Sequence, residues 1–159
     1  MRTSVGKARW SVFLLLPLLS GCLTNSHPLP PLDFSTPGWI TQEGQAVWRR
    51  NRHASEIAGE LLVARSATGD RALVQFSKTP LPLLTAQTGA DGWQIVFVPQ
   101  ARTFSDVGQP STRLLWLHLA NGLAGGRLPE PLQFSRSAAG DWQIENRRTG
   151  EMISGYLNP

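Results

Sequence analysis

The chain has 159 residues, a formal net charge of +4, 15 glycines, 12 prolines and one cysteine. A single cysteine excludes an intramolecular disulfide framework. Three of the 15 basic residues, Arg2, Lys7 and Arg9, fall within the first nine positions, so twelve basic residues face eleven acidic ones in the remainder. That balance is too even for a nucleic-acid-binding surface, and no nucleic-acid partner is expected.

In chain order, the basic and polar stretch Met1–Arg9 is followed by an apolar run, Trp10–Leu19, broken by Ser11 and Pro17. A charged segment ahead of a short apolar one is the order of an export leader, and the run falls short of the roughly 20 apolar residues of a membrane span. Leu19-Ser20-Gly21-Cys22 then resembles the lipobox of bacterial lipoproteins, in which small residues precede a cysteine that becomes the acylated N-terminus. The resemblance implies a leader over 1–21, covalent lipid on Cys22 and no other cofactor. An ordinary secretory leader is the alternative, but it leaves the only cysteine without a role. One acyl chain gives reversible membrane binding, whereas two or three hold durably at about 0.8 kcal/mol per buried methylene. Leu23 follows the cysteine in place of the aspartate of inner-membrane retention, so the expected location is the outer membrane, facing the periplasm.

Residues 22–38 carry Pro28, Pro30, Pro31 and Pro37 among small polar residues and read as an extended tether. Residues 39–159 are long enough for one domain with one core. The cluster Arg49, Arg50, Arg52 reads as a solvated strand end, with lipid head groups or phosphates as its alternative contacts.

Period-2 alternation predicts antiparallel strands at Glu60–Arg65 and Arg71–Lys78, joined by a hairpin at Thr68-Gly69-Asp70. Ala72, Val74 and Phe76 share one face of the second. A strand over Trp93–Val98 follows the turn Gly89–Gly92 and puts Trp93, Ile95 and Phe97 together. Three more are expected at Leu132–Arg136, Trp142–Asn146 and Glu151–Tyr156, separated by Ala139-Gly140-Asp141 and Thr149-Gly150. Between the two groups, Ser111 and Thr112 after Pro110 are suitable caps for a helix over Arg113–Asn121, which Gly122 would end. The same letters satisfy a buried strand, and the punctuation at both ends favours the helix.

The chemistry-bearing residues do not assemble into a known constellation. His27, His53 and His118 are not at metal-ligand spacing, and no metal is expected. There is no Gly-x-Ser-x-Gly elbow, no Ser-x-x-Lys and no phosphate-cradling glycine loop. The carboxylates are scattered singly beside turns. The chain is therefore expected not to be an enzyme.

The segments Gly59-Glu-Leu-Leu-Val-Ala-Arg65, Thr79-Pro80-Leu81-Pro82, the Trp93 strand, Ser111-x-Arg113-x-x-Trp116 with Gly122, and Asp141-Trp142-Gln143-Ile144 together resemble the periplasmic lipoprotein-localisation family. That family comprises a carrier and its outer-membrane receptor, itself a lipoprotein. The resemblance spans about Gly59 to Tyr156. It implies a mainly β fold, an open and incomplete antiparallel β-barrel with one short covering helix, whose apolar interior takes acyl chains. It also implies lipoproteins or a periplasmic carrier as partners. In the receptor a leucine after a proline on an exposed loop acts in delivery, and Leu81 after Pro80 is the matching position. The chain departs from the family in Pro82, where glycine is usual, in a shorter stretch between Gly59 and Leu81, and in lacking a helix before Ser111.

Two functions are expected on these grounds. The first is a membrane-anchored module that binds or transfers acyl chains of lipoproteins or envelope lipids, with Leu81, Leu83, Trp93, Ile95, Phe97, Leu115 and Trp116 as lipid contacts. The second is a structural or assembly lipoprotein with a filled core that acts by binding another protein.

Overall fold

A computed structural model describes residues 28–34 and 36–159. The expected leader and Cys22 lie outside the described residues. Nine strands form one antiparallel sheet: β1 (Trp39–Arg49), β2 (Ile57–Ser66), β3 (Ala72–Lys78), β4 (Leu81–Thr88), β5 (Gly92–Phe97), β6 (Arg102–Val107), β7 (Leu132–Arg136), β8 (Trp142–Asn146) and β9 (Glu151–Leu157). A short 3₁₀ turn, Val98–Gln100, separates β5 from β6, and α1 (Trp116–Leu123), the single α-helix among the described residues, lies between β6 and β7.

The strand order is β6-β5-β4-β3-β2-β1-β9-β8-β7. Two meanders are thus joined where β1 pairs with β9, in the register Ala46↔Gly155 and Trp48↔Ile153. The sheet does not close, because β6 and β7 stand at opposite edges. Since they are consecutive strands, the chain must cross the whole sheet between them, and α1 lies on that crossing. The expected open half-barrel with one covering helix is therefore the observed architecture.

One face of the sheet carries rows of apolar side chains. Val63, Val74, Ala86, Ile95 and Phe104 are successive cross-strand partners, and so are Leu61, Phe76, Leu84 and Phe97. Directly opposed side chains point to the same face, so each row is a continuous stripe. Across the junction, Trp48 of β1 continues into Ile153, Ile144 and Phe134 of the other meander as the corresponding row. The stripes meet the underside of α1, where Leu115, Trp116, Leu119 and Ile144 are at most 1% exposed.

A close backbone approach marks the junction of the meanders. A Cβ on Gly155 would collide with the Gln45 carbonyl of β1, so only glycine lets the two strands approach this closely.

The helix departs from its expected limits. It starts at Trp116, preceded by Leu115, and residues 111–118 enter it through i→i+3 bonds such as Leu114 N–H to the Ser111 carbonyl at 3.0 Å. Ser111 makes a turn, its Oγ accepting from Arg113 N–H at 3.3 Å, instead of capping the helix. Gly122 lies inside α1, and Gly125 ends it. Gly125, at φ +78, donates to the Gly122 carbonyl while Gly126 donates to that of Asn121. These paired bonds are a Schellman motif, in which the left-handed residue is normally glycine.

The expected tether is partly docked. Leu29 N–H donates to Gln94 Oε1 at 3.0 Å, and Gln87 Nε2 donates to the Pro30 carbonyl at 3.0 Å. Gln87 and Gln94 are cross-strand partners on the face away from α1, so residues 29–30 lie on the outer surface of the sheet.

Candidate functional site

The concave face and α1 form one apolar interior. α1 holds Trp116 as a wedge: its ring centroid lies 5.0 Å from that of Phe76 on β3 and 5.6 Å, near perpendicular, from that of Trp48 on β1. The edge-to-face contact with Trp48 is favourable for aromatic quadrupoles. Trp48 is fixed in turn by its Nε1, which donates to Glu151 Oε1 at 2.9 Å. Burial raises the Glu151 carboxyl above its ordinary range, and the Trp48 hydrogen bond and Arg50 partly oppose it. The indole N–H groups of Trp93, Trp116 and Trp142 are buried without a partner.

The structure brings four of the expected lipid contacts, Trp93, Ile95, Leu115 and Trp116, into this core, each at most 8% exposed. Leu83 and Phe97 pack at its margin, half-buried. Leu83 occupies the irregularity of β4, where the partners shift from Phe76↔Leu84 to Ser77↔Pro82. Leu81 stands apart. It begins β4 directly after the Thr79–Pro80 turn and is 66% exposed, more than any other large apolar residue described. The interior also contains Leu61, Phe76, Leu84, Leu119 and Ile153, which sequence reasoning did not assign to the site, together with Trp48.

Two ties hold the strap that carries α1. Asn146, 2% exposed, donates its Nδ2 to the Thr112 carbonyl at 2.8 Å, while its Oδ1 accepts from Arg148 N–H at 3.0 Å and Thr149 N–H at 3.2 Å. Beyond the helix, Arg136 Nη2 donates to the Leu123 carbonyl at 3.3 Å. At the rim, His118 is 6% exposed and its Nε2 lies 3.3 Å from the Ser111 carbonyl. Burial lowers its pKa, with those backbone contacts opposing. His118 forms one wall of an open cleft of about 430 Å³, lined also by Arg65, Asp70, Arg71 and Asn121. None of the seven expected lipid contacts lines that cleft.

The arginine cluster is dispersed. Arg49 pairs with Glu56 at 3.9 Å, Arg50 lies 4.7 Å from the centroid of the Trp48 ring, and Arg52 reaches the Arg147 carbonyl at 3.5 Å. Among the described residues, no three His, Cys, Asp or Glu side chains gather as a metal site. No helix among them is long and apolar enough to cross a membrane. The chain matches no protein-family model and no curated protein.

Proposed function

We propose that this chain is an envelope lipoprotein, anchored by lipid on Cys22, whose half-barrel takes up an acyl chain in exchange for the underside of α1. The observation that carries this reading is the concave apolar face of an open sheet, covered by one eight-residue helix on a strap between two free edges.

The energies are matched. An acyl chain of ~15 methylenes contributes at most about 12 kcal/mol on burial, at ~0.8 kcal/mol each. The buried side chains of Leu115, Trp116, Leu119 and Leu123, at about 1.5–3 kcal/mol apiece, contribute about 6–12 kcal/mol. Lifting α1 and inserting a chain is then close to break-even. A carrier needs this, since a much deeper site would trap its cargo. Exposed Leu81 at the β3–β4 tip would be the apolar point that meets the membrane.

Native mass spectrometry of the protein after incubation with phospholipid vesicles tests the reading. Non-covalent lipid at one per chain is the expected result, and recovery of lipid-free protein alone overturns it. The filled interior, with Trp116 1% exposed, favours a second reading. In it the domain is a solid scaffold for assembly, and crosslinking in cells recovers a reproducible partner protein with no bound lipid.

A further inference from the structure

The two free edges of the sheet are not alike. At β7, the Leu132 N–H is taken by the Pro129 carbonyl and Arg136 folds onto the Leu123 carbonyl, so the strap is tied to both ends of this edge. At β6 the hydrogen-bond phase leaves a donor–acceptor row open. Gly108 donates to Asp91 at 2.8 Å in the register of the β5–β6 ladder. Hydrogen-bonded pairs alternate in an antiparallel ladder, so Arg102, Phe104 and Asp106 bond inward to β5. Thr103, Ser105 and Val107 direct their backbone groups outward. Among the described residues, only the Val107 N–H of these is occupied, by Asp106 Oδ1 at 2.8 Å.

The side chains add a second pattern. Arg102, Phe104 and Asp106 pair with Phe97, Ile95 and Trp93 and therefore lie on the apolar face of the sheet. Phe104 ends the Val63–Val74–Ala86–Ile95 stripe, contacts the Phe97 ring at 6.2 Å, and is 46% exposed. An apolar stripe thus runs to an open edge, flanked two residues away on either side by opposite charges.

We propose that β6 pairs with β6 of a second copy of this chain, antiparallel about a two-fold axis at Phe104. In that register Arg102 faces the partner's Asp106, and Asp106 faces the partner's Arg102. Phe104 meets its own counterpart. The same register sets Thr103 opposite the partner's Ser105, and these are the residues whose backbone groups point outward, so four ladder hydrogen bonds form. Phe104 and the two charge pairs then fall at non-hydrogen-bonded positions, where opposed side chains come closest. A register shifted by two residues along one strand sets Arg102 against the partner's Phe104 and loses both charge pairs. Charge, apolar contact and hydrogen-bond phase select one arrangement and one occupant.

The test is disulfide trapping of the full-length protein in its native membrane, where acylated Cys22 contributes no thiol. Phe104→Cys is expected to give a disulfide-linked homodimer on mild oxidation, and Gln133→Cys at the opposite, β7 edge is not. Arg102→Asp or Asp106→Arg, each added to Phe104→Cys, should lower the dimer yield at least ten-fold. The double reversal Arg102→Asp with Asp106→Arg should restore it, an outcome that requires symmetric pairing. Wild-type protein gives an independent measurement: native mass spectrometry without any crosslinker should show a dimer that Thr103→Pro removes. Absence of the wild-type dimer, adducts only to other proteins, or no rescue by the double reversal overturns the proposal.

Discussion

Replacing Trp116 with alanine removes the wedge that joins α1 to β3 and β1. Truncating a buried tryptophan costs about 3–5 kcal/mol when the surroundings relax only partly. Two aromatic contacts, with Phe76 at 5.0 Å and Trp48 at 5.6 Å, are lost with it. One term opposes the loss: the Trp116 Nε1 is buried without an acceptor, and an orphaned donor costs about 1–3 kcal/mol. Its removal brings the expected destabilisation to the lower end, about 3 kcal/mol. With a urea m-value of about 1.5–2 kcal/mol/M, the unfolding midpoint should fall by about 1.5–2 M. Trp116→Phe separates the terms, since it keeps a ring in the wedge and discards the orphaned donor. It should lie within about 1.5 kcal/mol of the wild type. Equilibrium urea unfolding, monitored by far-ultraviolet circular dichroism, measures all three proteins. A loss below about 1 kcal/mol for Trp116→Ala would mean that α1 is not held through this residue, and the wedge account fails.

The ties around that wedge give three further expected outcomes. Asn146→Ala leaves the Thr112 carbonyl and the Arg148 and Thr149 N–H groups without their partner; at about 1 kcal/mol per bond, stability should fall by about 2–4 kcal/mol, with faster amide exchange over 111–118. Glu151 titrates above its ordinary value of 4.5 because it is buried, so the unfolded chain gives up its proton first and the slope of stability against pH is negative there. The contribution is fully present below about pH 4.5 and is lost as pH rises through the higher folded value; Glu151→Gln should flatten that decline, and parallel wild-type and variant curves would refute the assignment. Gly155→Ala places a Cβ against the Gln45 carbonyl; forcing β9 from β1 should cost about 1–3 kcal/mol, read as a lowered thermal midpoint.

Much of this fold was legible where alternation is undisturbed. β2, β3, β5, β7 and β8 carry it and β9 follows it least regularly, and the turns before β3, β8 and β9 are marked by Gly69, Gly140 and Gly150, each at positive φ. β1 does not show itself as a strand, because Thr41-Gln42-Glu43-Gly44-Gln45 is polar on both faces and its inward position holds a glycine with no side chain to reveal the period. β4 was hidden by Pro82 and by the irregularity at Leu83, which interrupts the count of two. β6 is an edge strand exposed on both faces, so its polarity does not alternate. The helix end was misplaced for a tertiary reason. Gly122 is small because a Cβ there would lie 2.8 Å from the Phe134 ring, a contact no local rule contains. The interior obeyed the same logic: Trp93, Ile95, Leu115 and Trp116 were recognisable as apolar, but Trp48, their partner from unread β1, was not placed with them.

The carrier and scaffold readings share the sheet, the helix and the filled core, and differ in how the protein responds when the core is opened. In a scaffold, the space vacated by Trp116→Ala is a defect that lowers stability and nothing more. In a carrier, the same space lies where an acyl chain is to enter, and the cost of lifting α1 has been reduced by about 3 kcal/mol. By linkage, a difference of that size shifts the exchange towards the lipid-bound state by about two orders of magnitude. The variant should therefore be less stable without lipid, retain more lipid than the wild type, and recover stability as lipid is added. Leu81→Asp provides the complementary perturbation. Leu81 is exposed and outside the wedge, so this substitution should leave both stability and equilibrium lipid content unchanged. It should slow transfer between vesicles if the β3–β4 tip is the point of membrane contact. Loss of stability with no gain of lipid in Trp116→Ala, and unchanged transfer in Leu81→Asp, would together leave the scaffold as the function of this fold.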